Sequence, residues 1–89
     1  MVTVVAMLDM KRKKIGDLEF SGRGVSFPID DQFSADASAA IQRAIEKGKF
    51  NFSSSGTDAI RKAVRDALSN YIWNNNRTRP MIIPVVMEV

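Results

Sequence analysis

The sequence predicts a small α+β (α/β) domain in the order β-β-α-α-β, a three-stranded sheet with two helices packed on one face. Three observations lead there. Runs near both ends, residues 2–10 and 81–89, are short and rich in β-branched residues, as strands are. Two central runs repeat apolar residues at helical spacing. Three strands enclose no core unaided, so the amphipathic helices must cover one side of them. The 89 residues, 45% hydrophobic and 26% charged, read as one globular domain over 1–89. A chain this short gains only modest stability from its own core, so support from a partner or a neighbouring domain is expected.

Residues 2–10 (VTVVAMLDM) are too few for a typical helix and form the first strand. Val2, Val4, Ala6 and Leu8 share one side, with Val5 and Met7 on the other. A strand wetted on one side alternates apolar with polar, and this one does so only at Thr3 and Asp9. Its second side is therefore either covered within the domain or meets another chain. Residues 11–16 (KRKKIG) form a charged hairpin turn into a second strand over 17–27. Ser21-Gly22-Arg23-Gly24 interrupts that strand, marking a bulge, a kink or a close approach of another backbone. Pro28 ends it.

The adjacent Asp30 and Asp31 precede a helix and read as capping residues rather than as a metal site. Ser34 is the predicted N-cap, with Asp36 in the first turn. Ala37, Ala40, Ile41, Ala44 and Ile45 make the apolar stripe; Lys47 and Gly48 close it. Residues 50–57 are a linker in which Phe50 and Phe52 return to the core while the Ser-Gly run is free to move. The second helix is expected from about Ser55, with Asp58 completing a variant capping box. Ile60, Ala63, Val64, Ala67, Leu68, Tyr71 and Ile72 are its buried stripe, and Asp58 can pair with Arg61 or Lys62. Asn74, Asn75 and Asn76 end it. In the third strand, apolar on both sides, Pro84 lacks an N–H and belongs on a sheet edge or at a bulge. That strand runs antiparallel to the second or parallel to the first, according to which it lies beside.

The chain has no Cys and no His. A thiol nucleophile is excluded, and the commonest general base and zinc ligand are missing together. The acids are scattered, so no metal, cofactor or catalytic residue is assigned to this domain. No apolar run approaches the roughly 20 residues that cross a bilayer, and residues 1–10 lack the features of a signal peptide. The expected location is the cytoplasm or an organelle stroma, with no membrane partner. A net charge of +3 permits weak contact with RNA without requiring it.

Two basic clusters are candidate RNA or anion contacts. Arg77 and Arg79, in Arg77-Thr78-Arg79-Pro80, present planar donor forks that suit phosphates. The competing reading, which is preferred, is a solvated turn, or an arginine paired with the carbonyls ending a helix or with an acid. Lys11, Arg12, Lys13 and Lys14 form the second cluster, where a solvated hairpin is preferred over a phosphate contact. No aromatic residue accompanies it for base stacking. Gly22-Arg23-Gly24 does not extend into a dinucleotide fingerprint, and Arg23 is expected to meet an acid on a neighbouring element. Trp73 is balanced between an interface anchor and a lid over the core. The element order is that of part of a KH module, but no Gly-x-x-Gly loop joins the helices.

Leu68 to Tyr71, Arg77-Thr78-Arg79-Pro80 and the run Met81-Ile82-Ile83-Pro84-Val85-Val86-Met87-Glu88-Val89 resemble the C-terminal end of the ribonuclease J family. Upstream, a Val-rich strand, a basic turn, Gly16-Asp17 and Ser21-Gly22-Arg23-Gly24-Val25 follow in the family's order, with an extra Gly22 and with Val25 in place of an aromatic residue. The resemblance implies the small terminal domain of an RNA-degrading metallo-β-lactamase/β-CASP hydrolase. The zinc-dependent nuclease site would lie in domains absent here, so this piece is expected to be non-catalytic. It further implies an oligomerisation role supporting the parent's activity, with a second copy and the parent's own catalytic domains as partners. Val5, Met7, Ile82 and Val86 are the expected occupants of the bare sheet face, with Trp73 as a secondary contact. The alternative is a small basic RNA-binding module acting through Arg77, Arg79 and Lys11 to Lys14.

Overall fold

The computed structural model describes residues 1–48, 50, 52 and 56–88. Its elements are β1 (Val2–Asp9), β2 (Lys14–Gly22), α1 (Asp31–Gly48), α2 (Thr57–Asn76) and β3 (Ile82–Glu88). The β-β-α-α-β order is as the sequence predicts. The sheet is mixed, in the order β2-β1-β3, with β1 antiparallel to β2 and parallel to β3. Of the two arrangements left open for the last strand, the molecule takes the one beside β1.

Val2, Val4, Ala6 and Leu8 of β1 are fully buried beneath the helices. Phe33, Ala37, Ile41 and Ile45 of α1 and Ile60, Val64, Leu68 and Ile72 of α2 pack onto them from one side. Both sets recur every four residues, which is why each helix can bury one continuous stripe. Phe33 joins the layers at one end. Its ring lies 5.6 Å from Phe20 edge-on, 5.6 Å from Phe27 nearly parallel, and 5.7 Å from Tyr71 edge-on. Phe50 and Phe52 pack against this core as expected, while residues 53–55 of the Ser-Gly run lie outside the described residues.

Several boundaries differ from the sequence reading. α1 begins before Ser34, because the Asp30 carboxylate accepts the Phe33 N–H at 2.9 Å and Asp30 O accepts the Ser34 N–H at 3.0 Å. Asp30 is as good an N-cap as Ser, and the earlier start carries Phe33 into the core. The proposed cap of α2, Ser55, lies outside the described residues; Gly56 is the N-cap and contributes no side-chain bond. The Asn run stays helical, with Asn75 Nδ2 donating to Tyr71 O at 2.8 Å. Arg77 ends the helix instead, left-handed at φ 54° and ψ 36°, with its N–H on Trp73 O.

β2 stops at Gly22 rather than at Phe27. A Cβ at Gly22 would collide with the Ile29 side chain, which returns over the strand end, and Gly24 turns the chain away at φ 65°. The register shift lies elsewhere, between the pairs Ala6–Leu18 and Leu8–Ile15. Pro84 sits on an edge strand as predicted. The Val2 N–H donates to Met81 O at 2.8 Å, so odd-numbered β3 residues turn their peptide groups toward β1 and even-numbered ones outward. Pro84 therefore removes a donor only from the free edge. No described helix is long and apolar enough to cross a membrane.

Candidate functional site

The side of the sheet away from the helices is the first candidate. Thr3, Val5 and Met7 of β1 align with Ile83, Val85 and Met87 of β3, and on the other flank Ser21 and Glu19 lie opposite Thr3 and Val5. Val5 and Met7 are half-buried, whereas Ile83, Val85 and Met87 are 39%, 39% and 48% exposed. Exposed Met81 continues the same row. The face is thus apolar over β1 and β3 and polar over β2.

Val5 and Met7 lie on this face, but Ile82 and Val86 do not. They pair with Val2 and Ala6 and turn inward, half-buried against the helices. The correction follows from parity. Both sides of β3 are apolar, so a period of two gives no orientation, and only the register with β1 assigns one. Ile83, Val85 and Met87 were missed for that reason. No signal within β3 marks them: their side of the strand is the more uniformly apolar of the two, and pattern reading would send it to the core.

The two basic clusters occupy opposite ends of the sheet. β3 runs parallel to β1, so Arg77 and Arg79 precede it at the Val2 end, while the hairpin leaves β1 at the other. The eight residues of β1 separate the ends by about 25 Å. The structure therefore does not bring the clusters together. In the hairpin, the Asp9 carboxylate accepts the Arg12 N–H at 3.1 Å and lies 3.8 Å from Arg12 Nε, and Lys13 is left-handed at φ 55°. Lys13 and Lys14 border a groove of about 480 Å³ whose far wall carries Glu46 and Phe50. Lys11 is exposed in the same turn.

At the other end, the guanidinium carbons of Arg77 and Arg79 lie 5.6 and 4.9 Å from the centre of the Trp73 ring. Arg79 Nη1 donates to Ser69 Oγ at 3.3 Å. Ser69 and Trp73 stand one turn apart on α2, and Arg77, left-handed just beyond the helix end, and Arg79 lie against them. Among the described residues, neither arginine has a carboxylate within 4.0 Å, in contrast to Arg61 with Asp58 and Arg65 with Asp66. The helix-end carbonyl is taken by the Arg77 backbone N–H rather than by a guanidinium. Trp73 is half-buried and serves as the seat of two cations, a role that sequence spacing alone did not reveal. Arg23 likewise finds no acid among the described residues; its backbone pairs with Met1.

Tyr71 has a pKa raised above the ordinary 10.0, first by burial and then by the negative charges of Asp36 and Asp30. No three Asp or Glu residues gather as a metal site among the described residues.

The sequence model of one family, described as "Ribonuclease J C-terminal domain", matches residues 1–89. Ribonuclease J2 of Bacillus subtilis (strain 168) is similar to the chain, at 24% identity over 89 residues. The match takes in 100% of this chain and 16% of that relative, so the chain spans about a sixth of its length.

Proposed function

The chain belongs to the ribonuclease J C-terminal domain family, and on that premise we propose that it is a non-catalytic assembly domain of a larger, cytoplasmic ribonuclease J-like enzyme. Its task is to hold copies of the parent together and so support RNA degradation by other domains. Zinc-dependent hydrolysis would belong to those domains, since this chain offers neither His nor Cys as a ligand.

One observation carries the reading: Val5, Met7, Ile83, Val85 and Met87 form a continuous apolar strip on the sheet face the helices leave open. Contiguous exposed apolar surface of this kind marks an interaction site. A second copy is the preferred occupant, meeting face to face. Side-by-side extension through β3 is disfavoured, because Pro84 breaks the outer row of donors.

Sedimentation equilibrium on the 89-residue chain and on the intact parent tests this. Val85→Glu should keep the circular dichroism spectrum and weaken self-association at least tenfold, whereas Val86→Glu, packed against the core, should unfold the domain. Unchanged association in a folded Val85→Glu protein would sink the proposal. Loss of contact with the parent's other domains, with copy number unchanged, would replace the second copy by the parent as occupant.

A further inference from the structure

Ser69, Trp73, Arg77 and Arg79 form a corner at the end of α2 that shares no residue with the apolar strip of Val5, Met7, Ile83, Val85 and Met87. Two exposed guanidiniums are gathered there on one indole. Their carbons are no more than about 11 Å apart, the most that their two distances to the ring centre allow. Neither charge is neutralised by an acid among the described residues. The side chains flanking Trp73 on α2, Ser69, Asn70 and Asn76, are uncharged hydrogen-bonding groups. The nearest acid before them on that helix, Asp66, is engaged by Arg65.

The backbone points the same way. Arg77 occupies the left-handed position that ends a helix, where glycine fits without strain. A residue with a Cβ is strained there. The Arg77 guanidinium nonetheless lies against an aromatic ring, and a side chain held in such a contact has less freedom to lose on binding. Paired arginines beside an aromatic platform match the backbone charge and the base faces of an unpaired strand.

We propose that Trp73, Arg77 and Arg79 form a contact site for single-stranded RNA. The two guanidiniums meet backbone phosphates, and the exposed part of the indole receives a base. The hairpin residues Lys11 to Lys14, at the far end of the sheet, take no part in this contact.

Trp73 is the single tryptophan of the chain, so its fluorescence reports this corner alone. Titration of the 89-residue chain with an oligouridylate at low salt should quench it, with an affinity that falls as salt rises. Arg77→Gly, which relieves the backbone strain, and Arg79→Gln should each raise Kd about fivefold or more and reduce the salt slope by about 0.7. Lys13→Gln should leave Kd within about twofold, and the melting temperature of Arg77→Gly should be no lower than that of the parent chain. The inference is overturned if no quench appears, if either arginine variant binds as the unaltered chain does, or if Lys13→Gln weakens binding more than they do. It is equally overturned if polyglutamate of matched length quenches as strongly, since the corner would then be a general acid-binding surface.

Discussion

Tyr71 stands where the two helices meet the aromatic group around Phe33, and its position couples stability to alkaline pH. Burial and the charges of Asp36 and Asp30 raise its folded-state pKa above that of an unfolded chain. The folded state therefore holds the phenol proton more tightly. That contribution is fully present below about pH 10 and is lost as pH climbs through the raised value. Tyr71→Phe should accordingly lose less stability than the parent chain across that alkaline range, as read from denaturation midpoints. Parallel losses in the two proteins would show that ionisation of the Tyr71 hydroxyl does not contribute. At this scale the sequence was legible wherever a residue's role is local. The stripes of both helices, the return of Phe50 and Phe52 and the Asp58–Arg61 pair are all as spacing predicts. That pair is exposed and adds little to stability. Asp30 displaced Ser34 as the cap because both residues cap well, and only the burial of Phe33 separates them.

Among the elements, β3 shows where pattern reading stops. Both of its sides are apolar, so the information that orients it lies in β1, whose Thr3 and Asp9 mark one side as polar. The same strand carries its own safeguard. Its even-numbered peptide groups face the free edge, and Pro84 interrupts them. Pro84→Thr would complete the outer row of donors while keeping a β-compatible side chain. Dynamic light scattering should then show new concentration-dependent species that persist when Val85→Glu is added, because edge pairing does not use the open face. If the edge stays inert, covering of that edge rather than Pro84 protects it. The hairpin illustrates the opposite case: its turn was legible, but the register shift before it was not. The shift lies at Gly16 and Asp17, opposite Met7, whereas the glycines that drew notice, Gly22 and Gly24, serve the strand end.

On the scale of the whole molecule, the layer arrangement followed from three short strands and two amphipathic helices, and the candidate surfaces did not. Whether two basic clusters share one patch depends on the direction of β3 relative to β1, which no short-range pattern encodes. The parallel pairing sends them to opposite ends. A chain ending before Met81 would leave β1 bonded on one side only and strip cover from α2. Such a truncation should melt without a cooperative transition by calorimetry; a sharp transition near that of the full chain would show that β3 is dispensable.

The partners Val2 and Ile82 lie eighty positions apart in the chain. A nascent polypeptide therefore completes β1, β2 and both helices while the middle strand still waits for its second neighbour. Closing so long a loop is slow and must precede the reward of the final ladder. Until the ribosome releases the last strand, the apolar row destined for β3 is open to any other unpaired strand. That interval is when a strand from another copy competes with the chain's own β3 for the open side of β1.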